Sequence, residues 1–410
     1  MQSKKLSIAM FHLAFVYSGG GERLVLEEAI GLQKLGHRVT IFTPILTKKN
    51  CFPELLEQVS VKTIVPKLPQ WLPDVELLSI ILSCLLVPFR WKEFAHFDVY
   101  FGANQPGPWL AYILSKLNKK PYAIYLAQPT RLIHPRLIDQ TTGLKLVDGI
   151  TMLPLLSWLF RPIIHYMDRK SITGAPLVFA NGSYMKGVLD EVYGITSINC
   201  PAGSKTHARV SVSHIQKRLK GFVTFGKKRI KKPYILLTNR HFPQKRFEYA
   251  IEALTMLPQA VSLVITGKDT NYTKYLKKLT TMRHNVHFVG LLPEKSLEKA
   301  YKNAAAYVYP SPQEDFGMGI IEAMSHGVPV VAWNNAGPTG IITTGFDGFL
   351  ATPFVIREFA QFLQDLLHNN RLYKEMARHA QQSVAEKFSF DRHNAMISRY
   401  VQRLVGYTGR

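Results

Sequence analysis

Short apolar runs alternate with longer amphipathic segments along this chain, and the alternation occurs twice. In the first half, SIAMFHL, HRVTIFTP, FDVYFGA and PYAIYLA have strand character, and LVLEEAIGLQKLG and PGPWLAYILSKLN have helical character. The second half repeats the pattern with PYILLTN, RFEYAIEALTML and VSLVITG. Because strand–helix–strand units place parallel strands side by side, the pattern predicts an α/β fold with two parallel sheets covered by helices. A chain of 410 residues is long enough for two such domains.

A strongly basic stretch separates the two patterns. Residues 205–232 contain ten Lys and Arg and no Asp or Glu, which is typical of a solvated linker. We therefore predict Rossmann-like domains at residues 1–200 and 233–385, a basic interdomain linker at 201–232 and a C-terminal helix at 386–410. Two such domains in tandem are expected to face each other across a cleft, with the carboxyl ends of their strands toward it.

The net charge of +23 indicates an anionic partner. Nucleoside diphosphates, anionic lipid headgroups and nucleic acid all fit this charge. No recognisable DNA- or RNA-binding motif accompanies it, so we expect no nucleic-acid partner.

Two apolar stretches, at residues 77–89 and 150–167, bear on membrane contact. The first is too short to span a bilayer, and the second is interrupted by Pro154, Arg161, Pro162 and His165. We expect each to form a buried or interfacial helix, the interfacial case meaning peripheral contact with an anionic membrane. Three widely spaced cysteines and an N-terminus without signal-peptide character predict a cytoplasmic location, including the inner face of the membrane.

Residues 304–333 carry the most specific chemical pattern. AAAYVY and VPVVAW are strand-like, and PSPQEDFGMGIIEAMSHG between them reads as a loop followed by a short helix. Glu314 lies in the loop, and Glu322 lies one turn into the helix. Two carboxylates beside a helix start suit the hydroxyls of a sugar and of a ribose, and the free N–H groups there suit phosphate. Gly317 and Gly319 allow a ligand to approach the backbone closely.

A cationic cluster, RHFPQK at residues 240–245, follows the strand PYILLTN and precedes a helix. Cations at a helix start oppose the helix dipole, so they are unfavourable there unless an anion is bound. The cluster is therefore either a solvated basic loop or an anion-binding site.

Two segments of the chain resemble a known family. PSPQEDFGMGIIEAMSHGVPVVA resembles the signature of retaining glycosyltransferases of family 4, in which two glutamates are separated by seven residues. GGGER at residues 19–23, with the following LVLEEAIGLQKLGHRVTIFT, is similar to the glycine loop of the same family and is closest to mannosyltransferases that extend lipid-linked oligosaccharides. The resemblance implies the GT-B fold, with an acceptor-side first domain, a nucleotide-sugar second domain and a C-terminal helix that crosses back to the first.

The resemblance also implies roles for individual residues. It assigns catalytic roles to Arg240, Lys245 and Glu314, because Arg240 and Lys245 match the spacing of a family pair that grips the donor diphosphate. The implied substrate-binding residues are Gly20, Gly21, Phe316, Gly317, Met318, Gly319 and Glu322.

The implied function is retaining transfer of a sugar, with mannose favoured, in glycan, polysaccharide or glycolipid synthesis. The expected donor is a nucleotide sugar such as GDP-mannose or a UDP-sugar, and the expected acceptor is a hydroxyl of a glycan or of a lipid-linked sugar. No Asp-x-Asp motif occurs in the chain, so we expect no metal and no other cofactor.

Two positions depart from the family pattern. Ala127 stands where the family has a histidine, and Gly340 stands where a donor-site loop usually carries a glutamate. These departures leave open a non-catalytic sugar-nucleotide-binding relative that acts as a partner subunit. A sugar-nucleotide epimerase or a phosphorylase on the same fold is a further alternative, although no motif indicates the lysine-bound pyridoxal site of a phosphorylase.

Overall fold

Two parallel sheets organise the chain in a computed structural model, which describes residues 5–69, 74–142 and 158–408. Each sheet lies in its own unit. The first unit contains residues 1–135, 146–203 and 390–410, and the second contains residues 136–145 and 204–389. The alternation of strands and helices predicted from the sequence is confirmed in both units.

The sheet of the first unit has seven strands in the order β3-β2-β1-β4-β5-β6-β7, and all neighbouring strands are parallel. The strands are β1 (Ser7–His12), β2 (Arg38–Thr43), β3 (Ser60–Thr63), β4 (Val99–Ala103), β5 (Tyr122–Leu126), β6 (Leu177–Ala180) and β7 (Ile198–Asn199). The central strands β1, β4 and β5 are buried along their whole length. A strand buried on both faces is what a parallel sheet covered by helices requires.

The helices of the first half of the chain connect these strands. They are α1 (Gly20–Lys34), α2 (Pro53–Leu56), α3 (Val75–Phe89), α4 (Gly107–Asn118), α5 (Leu137–Thr142), α6 (Arg161–Thr173) and α7 (Gly182–Tyr193). All of them belong to the first unit except α5, which belongs to the second.

The C-terminal helix, Phe390–Thr408, is part of the first unit and packs against α1. Its His393 faces Glu28 of α1 with Nε2 and Oε1 3.1 Å apart, and its Ser398 lies 2.8 Å from His37. These buried polar contacts hold the last helix on the first sheet layer.

The sheet of the second unit has six parallel strands in the order β12-β11-β10-β13-β14-β15. They are β10 (Tyr234–Thr238), β11 (Ser262–Thr266), β12 (Val286–Gly290), β13 (Ala306–Tyr309), β14 (Val330–Trp333) and β15 (Phe349–Ala351), and an antiparallel hairpin of β8 (Phe222–Phe225) and β9 (Lys228–Lys231) precedes them. The helices are α8 (Val212–Leu219), α9 (Phe247–Thr255), α10 (Asn271–Leu279), α11 (Glu294–Asn303), α12 (Met318–Ser325), α13 (Ile356–His368) and α14 (Asn370–Lys387).

The basic stretch at residues 201–232 is not a solvated linker. From Ser204 onward it belongs to the second unit, and it forms α8 and the β8–β9 hairpin. Arg218 is fully buried, and its guanidinium donates to the carbonyl oxygens of Lys302, His326 and Gly327 at 3.0, 2.6 and 2.5 Å. Carbonyls at helix ends lack intrahelical partners, so this arginine satisfies the ends of α11 and α12.

The apolar stretch at residues 77–89 lies within α3, where Leu85 and Phe89 are exposed. Residues 150–157 of the second apolar stretch lie outside the described residues, and residues 161–167 lie in α6. Among the described helices, none combines the length and apolar character needed to cross a bilayer.

Candidate active site

The segment with two carboxylates lies at the carboxyl end of β13 in the second unit. The strand ends at Tyr309, a loop follows, and α12 begins at Met318, as the sequence predicted. Gly317 immediately precedes α12 with φ 110°, a left-handed conformation that favours glycine. The loop therefore delivers the backbone N–H groups of the first turn of α12 to the edge of the sheet, where ligands of open α/β sheets bind.

Glu314 and Lys245 are in contact in this loop region, although they are 69 positions apart in the sequence. The Lys245 ammonium donates to Oε2 of Glu314, and the hydroxyl of Ser311 donates to the same oxygen at 3.3 Å. Burial alone raises the pKa of Glu314, but the charges of Lys245 and Arg136, with hydrogen bonds from Lys245 and Tyr309, lower it to about 2. Glu314 is thus a charged, fixed acceptor at neutral pH.

Arg240 follows β10 and starts the loop that ends at Lys245. Its backbone N–H donates to the side chain of Asn239 at 3.1 Å, and its guanidinium lies 5.1 Å from the ring centre of Phe242. His241 beside it is fully buried and lies 2.9 Å from the hydroxyl of Thr273. The loop is therefore anchored by its histidine and is not a freely solvated basic segment.

Glu322 lies in α12 with a buried network behind it. The hydroxyl of Tyr301 donates to Oε2 of Glu322 at 2.8 Å and lies 3.0 Å from Oγ1 of Thr238, which lies 2.8 Å from the hydroxyl of Tyr307. Burial and the charge of Glu322 raise the pKa of Tyr301 well above its ordinary value. Tyr301 is therefore a permanent donor that holds one oxygen of Glu322 in place.

The space at Gly319 is filled by a side chain of the protein. A Cβ at Gly319 would lie 2.2 Å from the hydroxyl of Tyr307, so the space expected for a ligand above this residue is occupied by protein. Its backbone N–H remains in the first turn of α12. Phe316 is buried and packs against Phe388, with ring centres 6.1 Å apart, whereas Met318 is partly exposed.

Gly20 and Gly21 lie in the first unit and form the start of α1. The nearest atom to a Cβ at Gly21 is Nδ2 of Asn104 at 3.9 Å, so the missing side chain there leaves open space. Gly19 differs, because a Cβ there would lie 2.4 Å from the Glu22 carboxylate. A ligand can therefore approach the backbone closely at Gly21, whereas protein atoms fill the corresponding space at Gly19.

The two departures from the family pattern lie at well-defined places. The backbone N–H of Ala127, just after β5, donates to Oδ1 of Asn104 at 3.2 Å. Gly340 is the exposed last residue of the 3₁₀ turn Gly337–Gly340, whose first residue donates its N–H to the carbonyl oxygen of Glu314 at 2.8 Å.

Sequence reasoning missed Arg136, which lies in the second unit beside Glu314. Its partners, Gln313 and Asp315, are 177 and 179 positions away, so local pattern carries no signal for the pairing. The only local signal is Asp139 three positions later, which suits an ion pair along a helix.

Within the part of the chain that the structure describes, no three His, Cys, Asp or Glu side chains form a group that could hold a metal ion. The site as described supplies cations from Arg240 and Lys245, acceptors from Glu314 and Glu322, and helix N–H groups. These are groups that bind a phosphate and sugar hydroxyls.

Comparison with protein families matches both halves of the chain. The family described as "Glycosyltransferase Family 4" matches residues 18–200, and the family described as "Glycosyl transferases group 1" matches residues 224–383.

Individual relatives agree with this assignment. The chain is 26% identical to alpha-1,3/1,6-mannosyltransferase alg2 of Schizosaccharomyces pombe over 82% of this chain and 70% of the relative, and 25% identical to human ALG2 over 94% of each. Its fold is similar to Anabaena HepE, solved in complex with UDP and glucose (TM-score 0.72, 19% identity, 97% of this chain and 99% of HepE). It is also similar to sucrose-phosphate synthase of Thermosynechococcus elongatus (TM-score 0.74, 16% identity, 98% of this chain and 100% of the synthase). The chain has the GT-B fold and belongs to the family 4 glycosyltransferases, and mannosyltransferases are among the relatives to which it is similar.

Proposed function

We propose that this glycosyltransferase moves mannose from a nucleoside diphosphate sugar to a hydroxyl of a glycan or lipid-linked acceptor, with retention of the anomeric configuration. The observation that carries the proposal is the Lys245–Glu314 pair at the edge of the second sheet, close to the start of α12. The names of the curated relatives favour mannose as the sugar, and the name of HepE's complex favours a nucleoside diphosphate as the leaving group.

The diphosphate end of the donor needs positive charge that is already in place. As the bond between the sugar and the phosphate breaks, negative charge accumulates on the leaving oxygen, and preorganised donors lower the barrier most when they are aimed at that charge. We assign this role to Arg240, Lys245 and the N–H groups at Gly317–Gly319. An ammonium group has three N–H donors, so Lys245 can keep Glu314 and still bind phosphate.

The two glutamates receive the hydroxyl-binding roles. Glu314 orients the hydroxyls of the transferred sugar, because its pKa of about 2 keeps it an acceptor at neutral pH. Glu322, which the hydroxyl of Tyr301 holds in place, binds the ribose diol. Phe316, which precedes α12, and Met318, its first residue, are assigned to the donor. Gly20 and Gly21 are assigned to the acceptor.

The chemical step requires no dedicated protein base. The bond from the anomeric carbon to the diphosphate oxygen breaks, the acceptor oxygen bonds to the same face of that carbon, and the acceptor proton passes to the departing phosphate oxygen. In this scheme a histidine at position 127 is not needed for proton transfer, which makes Ala127 compatible with turnover. We expect no divalent metal to be required.

Purified protein incubated with labelled GDP-mannose, UDP-glucose and UDP-N-acetylglucosamine, with and without lipid-linked acceptors, tests the proposal. We expect transfer from GDP-mannose with a product of retained configuration, and loss of transfer by about 100-fold or more in Arg240→Ala and Lys245→Ala. Arg371→Ala is the matched control, because that arginine is 89% exposed. Nucleotide-sugar binding without transfer or hydrolysis would instead favour the non-catalytic partner subunit, an alternative that the comparisons do not support.

We also propose that α3 and α6 contact an anionic bilayer at the cytoplasmic membrane face. Phe89 at the end of α3 is 86% exposed, and Ile163 and Tyr166 of α6 are also exposed. Exposed Arg161 and Lys170 accompany them on α6, and aromatic side chains beside cations are typical of interfacial helices. Co-sedimentation with phosphatidylserine vesicles is expected to exceed that with phosphatidylcholine vesicles and to fall in Phe89→Asp and Ile163→Asp. Equal sedimentation of wild type with both vesicle types, or no fall in the variants, would reject this contact.

A further inference from the structure

A short segment from the first half of the chain is built into the second unit. Residues 136–145 belong to the second unit, whereas residues 1–135 before them and 146–203 after them belong to the first. The described part of this segment contains Arg136 and α5, and α5 packs against the 3₁₀ turn Pro243–Lys245. The segment therefore lies beside the loop that carries Lys245.

Arg136 contacts the loop between Tyr309 and Met318 that carries Glu314. Its Nε and Nη2 donate to the two carboxylate oxygens of Asp139 at 2.8 and 2.9 Å. Its Nη1 donates to the carbonyl oxygen of Gln313 at 2.8 Å and faces Asp315 at 3.4 Å. The Asp139 carboxylate is buried, so it fixes the orientation of the guanidinium plane.

The two residues that Arg136 reaches in the loop stand immediately before and after Glu314. Gln313 is held twice, because the backbone N–H of Ile138 also donates to its side-chain oxygen at 2.8 Å. Asp315 is held through its carboxylate. A single guanidinium thus fixes both flanks of the residue that we assign to the donor sugar.

We propose that Arg136 is a positioning residue of the donor site, which acts by holding Gln313 and Asp315 so that Glu314 points at the sugar. This inference rests on the proposed function for the role of Glu314. It adds a contribution to the donor site from a segment outside the two motifs that resemble the family.

The geometry gives Arg136 a positioning role and not a direct one. Its N–H groups are directed to Asp139, Gln313 and Asp315, and a guanidinium has only five. Its side chain is 19% exposed. A planar fork that spans two partners cannot be replaced by the single ammonium group of lysine, so the hold on both flanks is specific to arginine.

Loss of the hold is expected to misplace Glu314 while the diphosphate contacts of Arg240 and Lys245 persist. A displacement of about 1 Å at a reacting centre lowers the rate by about 100-fold. The turnover number should therefore fall far more than the affinity for a nucleoside diphosphate that has no sugar.

The test is a double-mutant cycle in the full chain, with Arg136→Gln, Glu314→Gln and the double variant, and with Arg371→Gln as the exposed-arginine control. We expect Arg136→Gln to lower kcat by about 100-fold, with Kd for GDP or UDP within about two-fold of wild type. In the Glu314→Gln background the same change should lower kcat by less than about two-fold. Arg136→Lys, which keeps the charge, should stay about 10-fold below wild type.

Two results would overturn the inference. One is an Arg136→Gln variant, or an Arg136→Lys variant if the glutamine variant does not fold, whose kcat is within two-fold of wild type. The other is the same fractional loss of kcat with and without the Glu314 carboxylate, since a residue that acts through Glu314 has nothing to act on when that carboxylate is removed.

Hydrogen exchange separates this inference from the proposed function. Backbone amides of residues 311–319 should exchange faster in Arg136→Gln than in wild type and at the wild-type rate in Arg371→Gln. If wild type transfers no sugar, the proposed function is rejected, and the exchange rates alone decide whether Arg136 holds the Glu314 loop. If these amides exchange at the wild-type rate in Arg136→Gln, Arg136 does not hold the loop that carries Glu314.

Discussion

Lys245 and Glu314 form an ion pair within the second unit, with their side chains only 18% and 16% exposed. Removal from water is costly for each charge alone, and the pair compensates that cost only while both partners are present. The cation and the carboxylate of the donor site therefore support each other before any ligand binds. Substituting either one leaves the other largely buried without its opposite charge.

This pairing predicts a specific dependence of stability on pH. The folded-state pKa of Glu314, about 2, lies below its ordinary value of 4.5, so the stabilisation is complete above pH 4.5 and is lost as the pH falls from 4.5 toward 2. A shift of this size corresponds to at most about 3 kcal/mol. Urea unfolding between pH 6 and 3 should show this loss in wild type and a shallower slope in Glu314→Gln. Glu93→Gln, at an exposed ion pair, should keep the wild-type slope.

Arg218 is predicted to be the most important cation of the basic stretch for stability. Arg218→Ala would leave the carbonyl oxygens of His326 and Gly327 without their buried donor and would remove one of the two partners of the Lys302 carbonyl. The expected cost is about 3 kcal/mol or more in the free energy of unfolding. Lys220→Ala, which removes an exposed cation two positions away, should change it by less than about 0.5 kcal/mol. Urea unfolding at pH 7 measures both, and equal values would show that Arg218 is as dispensable as a surface charge.

Gly319 is predicted to be required by Tyr307 and not by the ligand alone. Gly319→Ala would place a Cβ 2.2 Å from the Tyr307 hydroxyl, and the next nearest atom of that side chain is 3.1 Å away. We expect a loss of about 2 kcal/mol from overpacking, of which at least about 1 kcal/mol should be recovered in the Tyr307→Phe background. Denaturant unfolding of the four proteins completes this cycle, and strictly additive losses would contradict the steric explanation.

The C-terminal helix is predicted to lose stabilisation at alkaline pH. Burial alone lowers the pKa of His393, but the Cys200 sulfur and the Glu28 carboxylate raise it to about 10, above the ordinary value of 6.5. The stabilisation is therefore complete below pH 6.5 and is lost as the pH rises from 6.5 to 10.

His393→Gln should lower the free energy of unfolding by about 3 kcal/mol at pH 6 and flatten its decline toward pH 9. The exposed His368→Gln is the control. If the His393→Gln variant retains the wild-type decline in the free energy of unfolding, the decline is caused by groups other than His393.

The fold was predictable because each strand and helix of this chain carries its own local pattern. β13 is buried throughout and β10 is buried up to its last residue, and Gly317 marks the start of α12 in a conformation that few other residues adopt. The location of Glu314, Glu322 and the RHFPQK loop at one sheet edge follows from the rule that parallel strands end at the same edge.

Other features were not predictable because they depend on contacts between distant positions. The burial of Arg218 requires the ends of α11 and α12, and the capture of Gln313 by Arg136 requires a segment that the chain contributes much earlier. Charge density at residues 205–232 indicated solvent exposure, but composition cannot show which of these cations reach backbone carbonyls in the protein interior. The space above Gly319 is likewise occupied by the side chain of Tyr307, and this contact arises only when the sheet and α12 pack together.

The position of the C-terminal helix has a consequence for how the protein is made. The ribosome completes β7 at Asn199 but reaches the helix that covers α1 only at Phe390, a delay of roughly 10–40 s at ordinary elongation rates. During that interval Glu28 has no His393 beside it, and the nascent first unit presents an uncovered helix to other chains. The first unit is therefore synthesised first but completed last. A chain terminated at residue 389 would lack the helix that packs against α1 of that unit.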